Sequence, residues 1–209
     1  MKIAFLGDSI TQGSGASSIE KCYVSQVKEI LNCEVINYGI GGTRIARQKA
    51  PSIEHRHDID LNLRTILLDK RVDKLFVFAG TNDYGHGDAE FGKVGDTGLF
   101  TFHGAVNSLF TTLINDFGKE KLVVILPLKR ANMDSKKNPT TSKLLKDYVE
   151  VIKYYVDKFG LKYMDLFNDC FDMPPEGESE YFADGLHPND KGHRVIAEKI
   201  CEFLKTEQN

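Results

Sequence analysis

Five short runs of apolar residues recur along the chain, at residues 2–6, 34–38, 74–79, 121–126 and 161–166. The third run contains Leu75-Phe76-Val77-Phe78 without a polar residue, and the fourth is apolar from Leu122 to Leu126. Uninterrupted runs of this length are typical of strands that are buried on both faces. The pattern therefore predicts five buried strands.

The segments between these runs carry apolar residues at helical spacing. Such stripes predict helices around residues 23–31, 106–117, 144–159 and 190–204, and a weaker helix over 59–68. Alternating strands and helices predict a parallel sheet with helices on both faces. With about five strands in this order, we expect a flavodoxin-like α/β arrangement in which the first and third strands are neighbours.

The chain contains no linker, repeat or low-complexity tract, so we predict one domain over residues 1–209. Ligands of such sheets bind at the carboxyl ends of the strands, where the strand order reverses. The segments that follow the first three strands are therefore the first places to look for function. A long glycine-rich stretch over 84–102 is also expected to be functional or mobile, because irregular segments of this length are uncommon in compact domains.

Charge and composition argue against several function classes. The chain has 209 residues, with 27 Lys and Arg against 30 Asp and Glu, which gives a net charge of -3. This balance argues against a nucleic-acid partner and against binding to anionic membranes. The apolar run at residues 2–6 is too short for a signal peptide or a membrane span. We expect a cytoplasmic protein without stable membrane insertion, and a secreted protein would need a leader ahead of Met1.

The four cysteines are not spaced as a zinc knuckle or a redox pair. We interpret them as reduced thiols, some of them in the core. They are Cys22, Cys33, Cys170 and Cys201.

After the first strand, residues 7–13 read Gly-Asp-Ser-Ile-Thr-Gln-Gly. One interpretation is a strand-to-helix turn in which Asp8 or Ser9 caps the next helix. The segment lacks the lysine of a P-loop, the GxGxxG of a dinucleotide site and the GxSxG of an α/β-hydrolase elbow. If Ser9 is a nucleophile, it belongs to a different framework.

The segments after the second and third strands carry glycines and an amide. Residues 37–43 read Asn-Tyr-Gly-Ile-Gly-Gly-Thr, which is either a plain tight loop or a loop that presents a backbone N–H to a negative oxygen. Residues 79–83 read Ala-Gly-Thr-Asn-Asp. The Asn82 amide either closes an Asx turn or faces the same point as the first two loops.

Near the C-terminus, residues 184–188 read Asp-Gly-Leu-His-Pro. A serine nucleophile needs a base, and the base needs an orienting carboxylate. Asp184 and His187 can supply both, since a bond to Nδ1 leaves Nε2 free. A helix-start turn and a pair of metal ligands are alternatives, but no further ligand cluster completes a metal site. The remaining histidines are interpreted as surface or core residues: His55, His57, His86, His103 and His193.

Together the four segments provide a nucleophile, a base, an orienting carboxylate and oxyanion donors. In this combination and order they resemble the GDSL, or SGNH, hydrolase family over almost the whole chain. The resemblance implies a three-layer α/β/α fold and a serine esterase, lipase or thioesterase that uses no metal and no other cofactor. The family's blocks are Gly7-Asp8-Ser9, Asn37-x-Gly39-x-x-Gly42, Gly80-x-Asn82-Asp83 and Asp184-x-x-His187.

The resemblance also implies a role for each matching residue. Ser9 is the expected nucleophile, His187 the general base and later acid, and Asp184 the carboxylate that orients it. The backbone N–H groups of Ser9 and Gly42 and the side chain of Asn82 are expected to form the oxyanion hole.

We expect a small-molecule or glycan ester as substrate, with a short acyl group such as O-acetyl on a carbohydrate. Aromatic and polar residues are mixed near the predicted site, and no long aliphatic tunnel is evident. Segment 84–102 and Tyr181 are expected to wall the cleft. Lys129 and Arg130 are either solvated or meet an anionic or hydroxyl-rich substrate. The residues predicted to contact the substrate are Asp8, Asp83, Tyr84 and Phe182.

Two other functions are compatible with the sequence, as is a homo-oligomer. A lysophospholipase or acyl-CoA thioesterase would share the fold and the motifs. A non-catalytic carbohydrate-binding module would use the scaffold without its chemistry, because a fold alone does not give a function. The complete set of candidate catalytic residues argues against the binding module.

Overall fold

The five apolar runs form one parallel sheet in a computed structural model of the chain, which describes residues 1–173 and 179–207. The strand order is β2-β1-β3-β4-β5, so the first and third strands are neighbours, as the sequence predicts. Residues 174–178 and 208–209 of the predicted domain lie outside this description. The strands are β1 (Lys2–Gly7), β2 (Glu34–Gly39), β3 (Lys74–Phe78), β4 (Leu122–Ile125) and β5 (Lys162–Met164).

Eight α-helices are found in the described part of the chain, together with 3₁₀ turns that include Thr65–Leu67 and His55–Asp58. The α-helices are α1 (Ser9–Gln12), α2 (Tyr23–Leu31), α3 (Leu61–Arg64), α4 (Thr81–His86), α5 (Phe102–Phe117), α6 (Leu145–Phe159), α7 (Leu166–Asp169) and α8 (Asp190–Thr206).

The sheet is the middle of three layers. On one face, Leu6, Val77 and Val124 pack in a core with residues of α5 and α6. On the other, Phe5 and Phe76 pack in a core with residues of α2 and α8. Alternate residues of each strand point to opposite faces, and both faces are covered, so the strands read as continuous apolar runs. The predicted α/β fold with helices on both faces is confirmed.

Several element boundaries differ from the predictions for local reasons. Helix α5 begins at Phe102 rather than near residue 106, because the Thr101 side chain accepts the Gly104 N–H and caps it. The weak helix over 59–68 is only a short α-helix followed by a 3₁₀ turn. The stretch predicted to be irregular from residue 84 begins inside helix α4.

The β1, β2 and β3 carboxyl ends meet at one edge, where Gly7 is in register with Gly39 on one side and Phe78 on the other.

No α-helix among the described residues has both the length and the apolar character that a membrane span needs. All four cysteines are free thiols, as predicted.

Candidate active site

Ser9 is the first residue of helix α1, directly after strand β1. The Asp8 carboxylate caps this helix by accepting the Ile10 N–H at 3.0 Å, which fixes the turn that carries the serine. Burial raises the pKa of Asp8 to about 6, against the opposing effects of the Ile10 N–H and the His187 and Arg64 charges. Ser9 is therefore held at the sheet edge by a short capped helix.

The Asp184–His187 turn brings a base to this serine. Oγ of Ser9 lies 3.0 Å from Nε2 of His187, and Nδ1 of His187 lies 2.7 Å from Oδ2 of Asp184. The turn is closed because the Ala183 N–H donates to the His187 carbonyl at 2.8 Å. Partial burial favours neutral Asp184, but the backbone N–H and ring of His187 outweigh it and hold the pKa of Asp184 below its ordinary value. The three groups are in hydrogen-bond contact as a serine, a base and a carboxylate.

The glycine loop after strand β2 presents a backbone donor beside the serine. Gln12 accepts the Gly41 N–H at 2.6 Å and so ties this loop to helix α1. Gly39 has to be glycine, because a Cβ there would lie 2.2 Å from the Gln12 backbone nitrogen. Gly42 has a φ of +73°, which favours glycine. Within the described chain, no acceptor takes the N–H of Ser9 or of Gly42.

The Asn82 side chain is buried and held from two directions. Its Nδ2 donates to the Thr43 carbonyl at 3.0 Å, and its Oδ1 lies 3.1 Å from Nε2 of His86. Arg44, which can only donate, lies 2.8 Å from Nδ1 of His86, so Nδ1 accepts and Nε2–H donates to Asn82. One hydrogen on Nδ2 of Asn82 is left for a ligand.

Two further ionisable residues, Asp83 and Arg64, hold the same loops by hydrogen bonds. Asp83 accepts the Ile45 and Ala46 N–H groups, both at 2.9 Å, and burial raises its pKa to about 7 against these bonds. Arg64 donates to the Gly7 carbonyl at 3.0 Å, to Oγ1 of Thr43 at 2.9 Å and to the Tyr38 carbonyl. Burial lowers the pKa of Arg64 to about 10 despite the nearby Asp8 and Asp60 carboxylates. These contacts connect all three strand ends.

The cleft above these groups has a volume of about 510 Å³. Leu186 is the only aliphatic side chain that lines it among the described residues. Its lining residues are Ser9, Gln12, Ser14, Gly41, Gly42, Glu54, Arg56, His57, Asn82, Gly85, His86, Arg130, Lys136, Leu186 and His187.

Several of these lining residues were not predicted from the sequence. Glu54, Arg56 and His57 come from the connection that follows strand β2, and the His57 ring lies over Gly42, 2.4 Å from where a Cβ would be. His57 and His86 therefore line the cleft, rather than being ordinary surface or core histidines. The position of these residues in the sequence could have indicated their place, because a long connection that starts at the functional edge of the sheet has to pass beside that edge.

The four residues predicted to contact the substrate do not line this cleft. The Asp8 and Asp83 carboxylates are engaged by backbone N–H groups, as described above. Tyr84 is buried and donates its hydroxyl to the Lys136 carbonyl at 2.8 Å. Phe182 packs against Phe171, with ring centroids 5.4 Å apart. Burial of the Tyr84 and Phe182 rings removes apolar surface from water. The Asp8 and Asp83 carboxylates and the Tyr84 hydroxyl satisfy backbone donors and acceptors.

The aromatic residues expected to wall the cleft also point elsewhere. Within 84–102, only Gly85 and His86 line the cleft. Phe91 packs against Phe102 and Tyr148 on one face of the sheet. Tyr181 stacks on Phe171 at 4.9 Å. The walls consist instead of the 54–57 segment and of Arg130 and Lys136.

Chemically, the site combines a serine–histidine–carboxylate chain with three hydrogen-bond donors. The N–H groups of Ser9 and Gly42 have no acceptor in the described chain, and the Asn82 amide has one free hydrogen. Such a set can activate an alcohol and stabilise the negative oxygen of a tetrahedral intermediate. Among the described residues, no group of three or more His, Cys, Asp or Glu side chains is arranged to hold a metal ion.

Comparison with known proteins gives a family and a set of similar folds. The profile of the GDSL-like Lipase/Acylhydrolase family matches residues 5–195. A search of curated proteins found no match. A crystal structure of a Lactobacillus plantarum protein is 27% identical, with a TM-score of 0.82 over 98% of this chain and 96% of that one.

Two further solved structures share the fold at lower identity. The lipase/acylhydrolase from Enterococcus faecalis is 23% identical, with a TM-score of 0.67 over 99% of this chain and 96% of its own. A carbohydrate acetylesterase family member from Sinorhizobium meliloti is 16% identical, with a TM-score of 0.65 over 98% and 97% of the two chains.

Proposed function

The chain belongs to the GDSL-like lipase/acylhydrolase family and is a hydrolase that acts on ester bonds, and from this premise we propose that it removes short acyl groups, such as O-acetyl on a carbohydrate, through an acyl-enzyme on Ser9. The observation that carries the choice of substrate is the cleft lining, in which Leu186 is the only aliphatic side chain described. A long acyl chain would find little apolar surface there, whereas sugar hydroxyls would find many donors and acceptors.

In the first half of the reaction, Oγ of Ser9 attacks the ester carbonyl carbon while Nε2 of His187 takes its proton. Asp184 keeps the proton on Nδ1 of His187 and stabilises the imidazolium that forms. The carbonyl oxygen becomes negative and is held by the Ser9 and Gly42 N–H groups and by the free Nδ2 hydrogen of Asn82. The intermediate collapses, His187 returns the proton to the leaving alcohol, and the acyl group stays on Ser9.

In the second half, His187 takes a proton from water, and the resulting hydroxide attacks the acyl carbon of the ester on Ser9. The same three donors hold the second negative oxygen. Collapse releases the carboxylic acid and returns the proton to Ser9. The likeness in fold to the carbohydrate acetylesterase family member from Sinorhizobium meliloti supports the acetyl-sugar assignment.

The nucleophile is tested with Ser9→Ala and Ser135→Ala, since Ser135 is an exposed serine on a loop. We expect Ser9→Ala to abolish hydrolysis of 4-nitrophenyl acetate and labelling by a fluorophosphonate, because no other cleft hydroxyl contacts His187 in the described chain. Ser135→Ala should retain both. Wild-type turnover in Ser9→Ala would contradict the acyl-enzyme. If the unmutated protein neither labels nor turns over, it is a binding module instead.

The acyl length is tested by comparing 4-nitrophenyl acetate with the decanoate, and then with acetylated sugars. We expect kcat/KM to fall with chain length. A preference for decanoate would point to a lysophospholipase or a thioesterase and would contradict the short-acyl proposal.

A further inference from the structure

Two cations in the catalytic cleft make no direct contact with a carboxylate in the described part of the chain, although the charges of Asp184 and Asp8 act on Arg130 from a distance. Arg130 and Lys136 both line the cleft that contains Ser9 and His187, and the hydrogen-bond partner of the Arg130 side chain among the described residues is Thr81. Arg130 is half-buried and Lys136 is exposed. A guanidinium that lines a cleft without a carboxylate is placed for a ligand rather than for stability.

Cations outnumber carboxylates around the cleft. Glu54 accepts from Nη2 of Arg56 at 2.6 Å and lies 3.5 Å from Nε2 of His57. Asp184 holds His187, a neutral base in the proposed mechanism, and so adds one further negative charge. Arg130 and Lys136 together exceed that single charge, which leaves the cleft with a positive excess.

Arg130 also has unused donors. Its Nη1 has only long contacts, 3.4 Å to the Thr81 carbonyl and 3.3 Å to the Thr81 hydroxyl. No acceptor in the described chain takes Nε or Nη2 of Arg130. Gly85 leaves room for this guanidinium, because a Cβ there would lie 2.8 Å from Nη1.

Tyr84 and Asn138 hold the Arg130 guanidinium and the backbone of Lys136 in place. The guanidinium carbon of Arg130 lies 5.4 Å from the centre of the Tyr84 ring, and the Tyr84 hydroxyl donates to the Lys136 carbonyl. The buried Asn138 donates to the Asp83, Tyr84 and Gly87 carbonyls at 2.9–3.2 Å, which fastens the 129–143 connection onto helix α4. A fixed aromatic base under a guanidinium reduces the entropy lost when it binds an anion.

We propose that Arg130 and Lys136 bind an anionic group, a carboxylate or a phosphate, of the ester substrate. This inference rests on the proposed ester hydrolysis and narrows its substrate class to charged esters, such as an acetylated acidic sugar. The planar guanidinium suits a two-oxygen contact with such a group, and Lys136 adds a mobile point charge.

The kinetic signature follows from where the charge lies. An anionic group remote from the reacting carbonyl keeps its charge throughout the reaction, so its contact with Arg130 is equal in ground state and transition state. Loss of that contact raises KM and leaves kcat unchanged.

Matched pairs of esters that differ only in charge test the inference and locate the anion. For an anion in the acyl part, the pair is mono-4-nitrophenyl adipate and its methyl ester. For an anion in the alcohol part, the pair is 4-acetoxybenzoate and its methyl ester. Each pair is measured with wild type and variants, and the ratio of kcat/KM between variant and wild type cancels the intrinsic reactivity of each ester.

The variants are Arg130→Gln and Lys136→Gln, with Lys129→Gln as the matched control. Lys129 is the neighbouring cation, pairs with Asp172 at 2.7 Å and does not line the cleft, so it changes net charge equally without touching the site. We expect Arg130→Gln to lower kcat/KM about tenfold for the anionic member of one pair, through KM, and less than about twofold for the neutral member. Lys136→Gln should give about threefold.

The pair that shows charge discrimination identifies whether the anion is on the acyl or the alcohol part. If Arg130→Gln loses activity equally on charged and neutral members, the exposed Lys136→Gln decides. If Lys136→Gln then has the same kcat/KM relative to wild type on the charged and neutral members of both pairs, the inference is overturned. If no protein hydrolyses any of the four esters, it is the proposed function that fails.

Discussion

The two sides of the catalytic cleft are built in different ways. The proposed oxyanion side has buried Ser9 and Asn82 side chains beside the half-buried Gly42, and Asn82 is fixed by its bond to the Thr43 carbonyl. The proposed base side, formed by Asp184 and His187, is a single turn whose side chains are 54% and 22% exposed. Fixed donors stabilise charge best when they do not have to reorganise, whereas a base has to exchange protons with alcohol and water. Each side therefore has the environment that its chemistry needs.

The largest expected effect tests the base side. Asp184→Asn should lower kcat/KM by about four orders of magnitude, because an amide directed at Nδ1 of His187 favours the wrong tautomer. Activity on 4-nitrophenyl acetate measures this, with Asp172→Asn, an exposed carboxylate of the Lys129 pair, as the control. A residual activity above about a tenth of wild type would show that the exposed carboxylate is not needed.

This contrast also explains what the sequence could predict. The strand order is predicted from the alternation of five apolar runs with helical stripes, and the candidate triad from a motif after the first strand and the Asp184-x-x-His187 turn near the C-terminus. Asp184 and His187 are only three residues apart, so their contact is local. The Arg44–His86 contact joins residues 42 positions apart and depends on the folded structure. No local pattern predicts it.

The errors in the sequence predictions, for helix α4 and for two aromatic side chains, have a similar cause. Helix α4 has no apolar stripe and contains Gly85, so its sequence does not predict a helix. Tyr84 and Phe182 lie near catalytic motifs in the sequence, but closeness along the chain does not fix the direction of a side chain. Both turn into the protein, where burial stabilises an aromatic ring.

An intermediate effect tests whether the oxyanion side acts as one unit. Asn82→Ala should lower kcat by about two to three orders of magnitude, with little change in KM, because it removes a donor used only in the transition state. His86→Ala should cost about tenfold, because the Asn82 carbonyl loses the donor that orients it. Steady-state kinetics on 4-nitrophenyl acetate measures both.

The double variant separates positioning from direct contact. If His86 acts through Asn82, then His86→Ala should have almost no effect on kcat in the Asn82→Ala background. Full additivity of the two losses would show instead that His86 contacts the substrate by itself. His86→Gln, which keeps a donor on a long side chain, should recover part of kcat, whereas the exposed Asn168→Ala should leave it unchanged.

The smallest expected effect concerns pH and the same histidine. Burial and the Arg44 charge lower the pKa of His86 from its ordinary 6.5 to about 4. Between these values the unfolded chain binds more protons than the folded one, so the contribution of His86 to stability is complete above about pH 6.5 and is lost as the pH falls towards about 4.

Denaturant unfolding of wild type and His86→Gln at about pH 7.5 and about pH 4.5 measures this contribution. The stability of wild type relative to the variant should be greater at the higher pH. Asp8 and Asp83 have raised pKa values and oppose this trend in both proteins, so only the difference between the two proteins isolates His86. Parallel pH profiles would mean that burial and Arg44 do not hold His86 neutral, and the hydrogen-bond chain from Arg44 to Asn82 would then not account for the order of the proposed oxyanion side.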